Sequence, residues 1–240
     1  MQKSALRKPI SFLAVVALLA ACSEPEREPQ QTVPADAGPA GPVSGLDYHS
    51  YANTDDYRAT HIDLDFTVDF ERKVLLSEAR LQLDRLNDEN RPLVLDTRGL
   101  TIESVRAGHG DRFADAAFTI GETSDDLGAP LSIEMPADAT TVAIRYETSP
   151  DALALQWLEP QQTAGKRHPF LYSQAQSIHA RSWVPLQDTP AIRITYEATI
   201  RTPESLLAAG LFETAGTLLA SILVTAATAG CEMRRSTEMA

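Results

Sequence analysis

Residues 61–70, HIDLDFTVDF, constrain the fold more than any other stretch of this chain. They alternate strictly, so an extended backbone puts Ile62, Leu64, Phe66, Val68 and Phe70 on one face and His61, Asp63 and Asp65 on the other. A helix would scatter the same residues around its circumference. The pattern recurs along the chain. Residues 73–86 hold two further alternating stretches that end in the turn-forming run Asn87-Asp88-Glu89-Asn90. Short apolar runs at 93–95, 100–105, 131–135 and 141–146 follow, separated by Gly, Pro and Asp clusters. In residues 191–201, Ile192, Ile194, Tyr196, Ala198 and Ile200 face one way and Arg193, Thr195, Glu197, Thr199 and Arg201 the other. Many short strands with turn signals between them predict a mainly β domain, an antiparallel sheet or sandwich, over residues 46–205.

Both ends depart from this pattern. Lys3, Arg7 and Lys8 precede a short apolar run at 10–21 that is interrupted only by Ser11. That run is too short to span a bilayer and reads as a secretory signal over residues 1–21. It closes on Leu19-Ala20-Ala21-Cys22, similar to a bacterial lipobox, which makes Cys22 the expected lipidation site and a membrane the expected partner through its acyl chains. Ser23 rather than Asp follows the cysteine, which by resemblance to Gram-negative lipoproteins places the anchor in the outer membrane, facing the periplasm. Residues 23–45 contain five prolines and almost no large apolar side chains, so within 22–45 a disordered spacer is expected. The only other cysteine is Cys231; with Cys22 lipidated it has no partner, and a disulfide framework is excluded. Residues 206–240 are rich in Ala, Leu, Gly and Thr and predict a short helical tail packed on the sheet.

Charge narrows the function classes. The formal net charge is −12, and loss of residues 1–21, with three positive and no negative side chains, takes it to −15. An exported chain this acidic is a poor nucleic-acid binder. The chemistry-bearing motifs are also few. His61, Asp63 and Asp65 share a strand face, but no further ligands at metal-binding spacing accompany them, so a solvated face is the better reading. There is no nucleophile elbow, no phosphate-binding glycine loop and no CxxC pair. Nor is there an HExxH, the arrangement that puts two zinc ligands and a general-base Glu on one helical face. No catalytic or metal-ligating residue is assigned.

Residues 155–190 carry the functional signal. Ala154-Leu-Gln-Trp-Leu158 leads to Gln162-Thr163-x-Gly165-Lys166, then to His168-Pro-Phe-Leu-Tyr-Ser-Gln174-Ala-Gln176-Ser-Ile-His179, then to Arg181-Ser-Trp-Val-Pro-Leu-Gln-Asp188-Thr-Pro190. This ordered series resembles the N-terminal domain of leukotriene-hydrolase-type zinc aminopeptidases, in the aminopeptidase N superfamily, and the likeness extends over roughly residues 50–207. The resemblance implies a saddle-like, mostly antiparallel β domain that docks on a thermolysin-like catalytic domain, its expected packing partner. It implies that Gln174 and Gln176 face the active-site cleft and help hold the N-terminal part of a peptide. A Gln amide both donates and accepts, which suits a peptide amine or carbonyl; the plainer alternative is that both satisfy neighbouring backbone groups. Arg181, Asp188 and Pro190 read as structural, the Asp-Thr-Pro run making a turn within which Arg181 bonds. His179 reads as a packed histidine.

The family's zinc and its GxMEN, HExxH and downstream Glu and Tyr residues have no counterpart in this sequence, so no cofactor is expected in this chain and it is expected to be inactive alone. The resemblance stops near Ala208, where composition also changes, and the tail is expected to come from a shifted frame or a truncated gene. A rival reading is a short lipoprotein that uses the same β domain as a non-catalytic binding or assembly module.

Overall fold

The computed structural model describes residues 47–87, 89–110, 112–212, 220–226 and 233–237. Cys22, the signal and spacer segments and Cys231 lie outside the described residues. The strands run β1 (Tyr57–Asp69), β2 (Val74–Arg85), β3 (Leu93–Thr97), β4 (Thr101–His109), β5 (Arg112–Asp115), β6 (Phe118–Ile120) and β7 (Ala129–Ile133). They continue with β8 (Thr141–Glu147), β9 (Leu155–Leu158), β10 (Phe170–Ser173), β11 (Thr195–Arg201), β12 (Leu206–Phe212), β13 (Ala220–Ala226) and β14 (Met233–Thr237). Helix among the described residues is limited to two 3-10 turns, Pro160–Gln162 and Ala180–Ser182. The mainly β class expected from alternation is what the chain adopts.

The strands form three sheets. The largest has the order β14-β11-β1-β2-β8-β4-β5, a second has β12-β13-β10-β9 and a third β3-β7-β6. Among the described residues every strand pairing is antiparallel except β1 with β11, which run side by side in the same direction with Ile62 opposite Tyr196 and Phe66 opposite Ile200. A parallel neighbour so far along the chain needs a long crossover, and residues 70–194 provide it.

Alternation places the core where the sequence pattern requires. Ile62, Leu64, Phe66 and Val68 of β1 are buried, together with Leu75, Ala79, Leu81 and Leu83 of β2 and Val142, Ile144 and Tyr146 of β8. Ile192, Ile194, Tyr196, Ala198 and Ile200 are buried as well. The opposite face of the large sheet is charged. Arg106 and Arg145 reach Glu78 at 3.6 Å each, Arg72 pairs with Glu147 at 2.7 Å, and Arg201 pairs with Asp65. Exposed pairs of this kind stabilise little because solvent screens them, and they read as a solvated surface. His61 belongs to it: its Nδ1 lies 2.6 Å from Thr195 Oγ1 and its Nε2 3.3 Å from Asp63 Oδ1.

One expectation needs correction. The tail was expected to be a short helix, and its described parts are strands: β12 pairs antiparallel with β13, β13 with β10, and β14 with β11. Helix propensity of Ala and Leu is a weak preference that tertiary pairing overrides. β10 would otherwise offer an open row of backbone donors and acceptors on the side away from β9, and β-branched Ile222, Val224 and Thr225 suit a strand laid along it. No helix among the described residues is long and apolar enough to cross a membrane.

Candidate functional site: an exposed glutamine pair hung from a buried ion cluster

Gln174 and Gln176 follow directly from β10, and the strand's alternation carries on through them. Ser173 and Ala175 are buried while Gln174 and Gln176 are exposed. The pair therefore shares one side of the chain, in line with half-buried Phe170 and Tyr172. The Gln174 N–H donates to Ala154 C=O at 2.8 Å, which ties the start of the segment to the residues just before β9. Both glutamine side chains are exposed. Two amides, each able to donate and accept, are presented outward from a strand end.

The far end of the segment is fixed by a buried cluster. Arg181 and Asp96 are both fully buried and Asp188 is nearly so. Arg181 Nε donates to Asp188 Oδ2 at 3.0 Å, Nη1 to Leu127 C=O at 3.0 Å, and Nη2 to His49 C=O at 2.7 Å and Asp188 C=O at 3.1 Å. Asp96 stands 3.5 Å from Nη1 and accepts from the Ser50 hydroxyl at 2.6 Å, the Tyr51 N–H at 2.7 Å and the Asp188 N–H at 3.0 Å. A buried guanidinium is tolerable only when its donors are matched in this way. Burial pushes the carboxyls of Asp96 and Asp188 above their ordinary 3.8, and Arg181 draws each part of the way back. Leu127 is delivered to the cluster by the turn ending at Gly128, where φ is +77° and an added Cβ would lie 2.1 Å from Thr97 C=O.

Around the cluster the 179–190 segment is knitted to all three neighbouring elements. Ser182 Oγ accepts from the Ala154 N–H at 3.0 Å and donates to His179 C=O at 2.7 Å. Trp183 is fully buried, stacks on Phe66 at 5.3 Å between centroids, and its C=O accepts from Tyr146 Oη at 2.8 Å. Burial pushes the Tyr146 phenol up, so it remains a hydrogen donor at any ordinary pH. The structural reading of Arg181 and Asp188 matches this arrangement. His179 is packed through its backbone, its N–H donating to Ala175 C=O at 2.9 Å, while its ring Nδ1 is buried with no hydrogen-bond partner among the described residues.

Asp96, Ser50 and Gln187 escaped the sequence reading. Asp96 had one usable signal, an acid in the middle of the apolar run Leu93-Val-Leu-Asp-Thr97. Gln187 had none for its partners. Its Oε1 accepts from the Ala59 N–H and its Nε2 donates to Tyr57 C=O, both at 2.9 Å, where the β1–β2 register shifts between Ala59 and His61. The pairing of β11 with β1 begins only at His61, and the buried side-chain amide bonds the β1 backbone just before that point. Gln187→Ala should strand both groups and lower stability by about 1–3 kcal/mol, read as a drop in urea midpoint with an unchanged slope.

Zinc does not fit the residues present: among the described residues no group of three His, Cys, Asp or Glu side chains is placed to hold a metal ion. No bond-breaking step is derived from these residues.

Known proteins resemble this chain in sequence and in fold. The peptidase M1 N-terminal domain matches residues 57–213. Leucine aminopeptidase 2 of Phaeosphaeria nodorum is 37% identical over 178 residues, 72% of this chain and 27% of that protein. Leukotriene A-4 hydrolase of Xenopus laevis is 40% identical over 167 residues, 68% of this chain and 27% of that protein. Yeast LTA4 hydrolase in complex with bestatin superposes with a TM-score of 0.64 at 29% identity, covering 77% of this chain and 31% of that one. The chain thus spans about a quarter of the length of the curated relatives it matches, 27% in each of these two.

Proposed function

The chain belongs to the peptidase M1 N-terminal domain family, and on that premise we propose that it is the substrate-facing domain of a lipid-anchored metallo-aminopeptidase that removes N-terminal residues from peptides. The observation that carries this reading is the pair Gln174 and Gln176, exposed on one side of a strand end while Ser173 and Ala175 anchor it in the core. In this role the chain supplies binding and orientation. The peptide amine or first carbonyl meets the two amides, and a catalytic domain packed against this one supplies the hydrolytic residues and their zinc. Alone, the chain is inert.

The test is a zinc analysis and an assay of the purified chain on an aminoacyl chromogenic substrate. The expected result is no stoichiometric zinc and no turnover; robust hydrolysis that a chelator abolishes would sink the proposal. Anchoring is part of the same reading: Cys22 carries the lipid and holds the domain on the outer membrane, facing the periplasm. Cys22→Ser should move the protein from the membrane fraction to the soluble fraction of the envelope, since two or more acyl chains hold a protein on a bilayer and none does not. Retention of the variant in the membrane fraction would contradict lipidation at that residue.

A further inference from the structure

Residues 47–53 precede the first strand and lie outside the 57–213 family match, yet they reach the most buried charges among the described residues. His49 C=O accepts from Arg181 Nη2 at 2.7 Å, the Ser50 hydroxyl donates to Asp96 Oδ2 at 2.6 Å, and the Tyr51 N–H donates to Asp96 Oδ1 at 2.7 Å. Asn53 finishes the attachment along β3, its Nδ2 donating to Pro92 C=O at 2.9 Å and its Oδ1 accepting from the Val94 N–H at 2.8 Å. None of residues 47–53 is itself buried, and Tyr48 is 83% exposed. The attachment is polar almost throughout, so it can be lifted without opening the apolar core, and water can reach the groups it uncovers.

We propose that residues 47–53 form a strap that locks the segment carrying Gln174 and Gln176 through the Arg181–Asp96–Asp188 cluster, so that lifting the strap loosens this segment while the sheets stay folded. The geometry supplies the link. Gln174 is held at one end of the segment by Ala154 C=O, and Arg181 and Asp188 hold the other end. The Asp96 carboxylate takes two of its three hydrogen bonds from the strap, and without them it keeps the Asp188 N–H and Arg181, while the Asp96 backbone stays paired with Leu186. The strap is also the direct continuation of the Pro-rich stretch 23–45, so in sequence it stands between that stretch and the glutamine pair. This inference does not depend on the peptide-binding role of the glutamines.

Hydrogen exchange on the full chain tests it, comparing the natural sequence with a variant in which residues 47–53 are replaced by Gly and Ser. Amides of residues 174–188 should exchange about tenfold faster or more, while those of Leu81 in β2 and Ile144 in β8 change by less than about twofold. No acceleration in 174–188, or equal acceleration in β2 and β8, would overturn the lock. If the replacement variant does not fold, the double variant Ser50→Ala, Asn53→Ala is read in the same way and should show the same pattern more weakly. Unfolding of that milder variant as well would also overturn the proposal, because the strap would then be part of the fold and not a lock upon it.

Discussion

Arg181→Ala is expected to destabilise the domain by about 3–5 kcal/mol, the range for removing one partner of a buried, fully bonded ion cluster. The guanidinium answers Asp188 Oδ2, Asp188 C=O, Leu127 C=O and His49 C=O, and it stands beside the second carboxylate, Asp96. Alanine leaves three carbonyls and two buried carboxylates without their cation. Its pH dependence identifies the cause. Both carboxyls have folded-state pKa values above the ordinary 3.8, raised chiefly by burial and lowered in part by Arg181. A group raised in the folded state contributes stability that is complete below its unfolded value and is lost as pH rises through its folded value. Removing Arg181 removes the lowering influence, so both folded values rise further and the loss on going to neutral pH grows. The deficit of the variant, measured by urea unfolding, should therefore be larger at about pH 7 than at about pH 5. Arg181→Lys keeps a charge but not the fork of donors, and should fall between the two.

Trp183→Ala is the second large effect, at about 3–5 kcal/mol. The indole is fully buried, stacked on Phe66 at an interplanar angle of 20°, at the point where the 179–190 segment meets the large sheet. Phe66 in turn lies in the middle of β1, between Leu64 and Val68. Truncation opens a cavity against β1 that a close-packed interior cannot readily fill. The hydrogen bond from Tyr146 goes to the backbone C=O of Trp183 and survives the change, so the loss reports packing alone. The indole N–H has no hydrogen-bond partner among the described residues, so Trp183→Phe should cost only part of the alanine penalty. Thermal unfolding of the three proteins separates the cases; equal losses for Phe and Ala would point to the ring edge and not to cavity volume.

These two residues show what the sequence could and could not reveal. Strict alternation at 61–70 and 191–201 was enough to find β1 and β11 and to choose their buried faces, because a one-residue period error would have put Asp63 and Asp65 in the core. That β1 and β11 lie side by side and parallel was not visible, since alternation fixes faces and says nothing about neighbours. The short strands β5, β6, β9 and β10 escaped for the opposite reason: three or four residues are too few for a period to register. The Ala-rich tail looked helical because propensity was the only local signal there, and pairing with β10 overrode it. At the candidate site, Gln174 and Gln176 were singled out by the ordered series of residues around them, and the structure places both on the exposed side of the strand end. The cluster beneath them was half legible: Arg181 and Asp188 stood out, but Asp96 and Ser50 reach them only in three dimensions, from 85 or more residues away in sequence by the numbering of Asp96 and Arg181. Gln187 stood within the ordered series, but its partners could not be read, because nothing local announces that Tyr57 C=O and Ala59 N–H will need an amide.

The central claim is that the exposed glutamine pair meets the amino end of a peptide. Titrating the isotopically labelled chain with a short peptide bearing a free amino terminus, and following the side-chain amide signals by NMR, tests it directly. The two amides of Gln174 and Gln176 should shift with the free peptide at millimolar concentration and not with its acetylated counterpart. Shifts that ignore acetylation, or that fall on other glutamines and leave these two unmoved, would contradict the account.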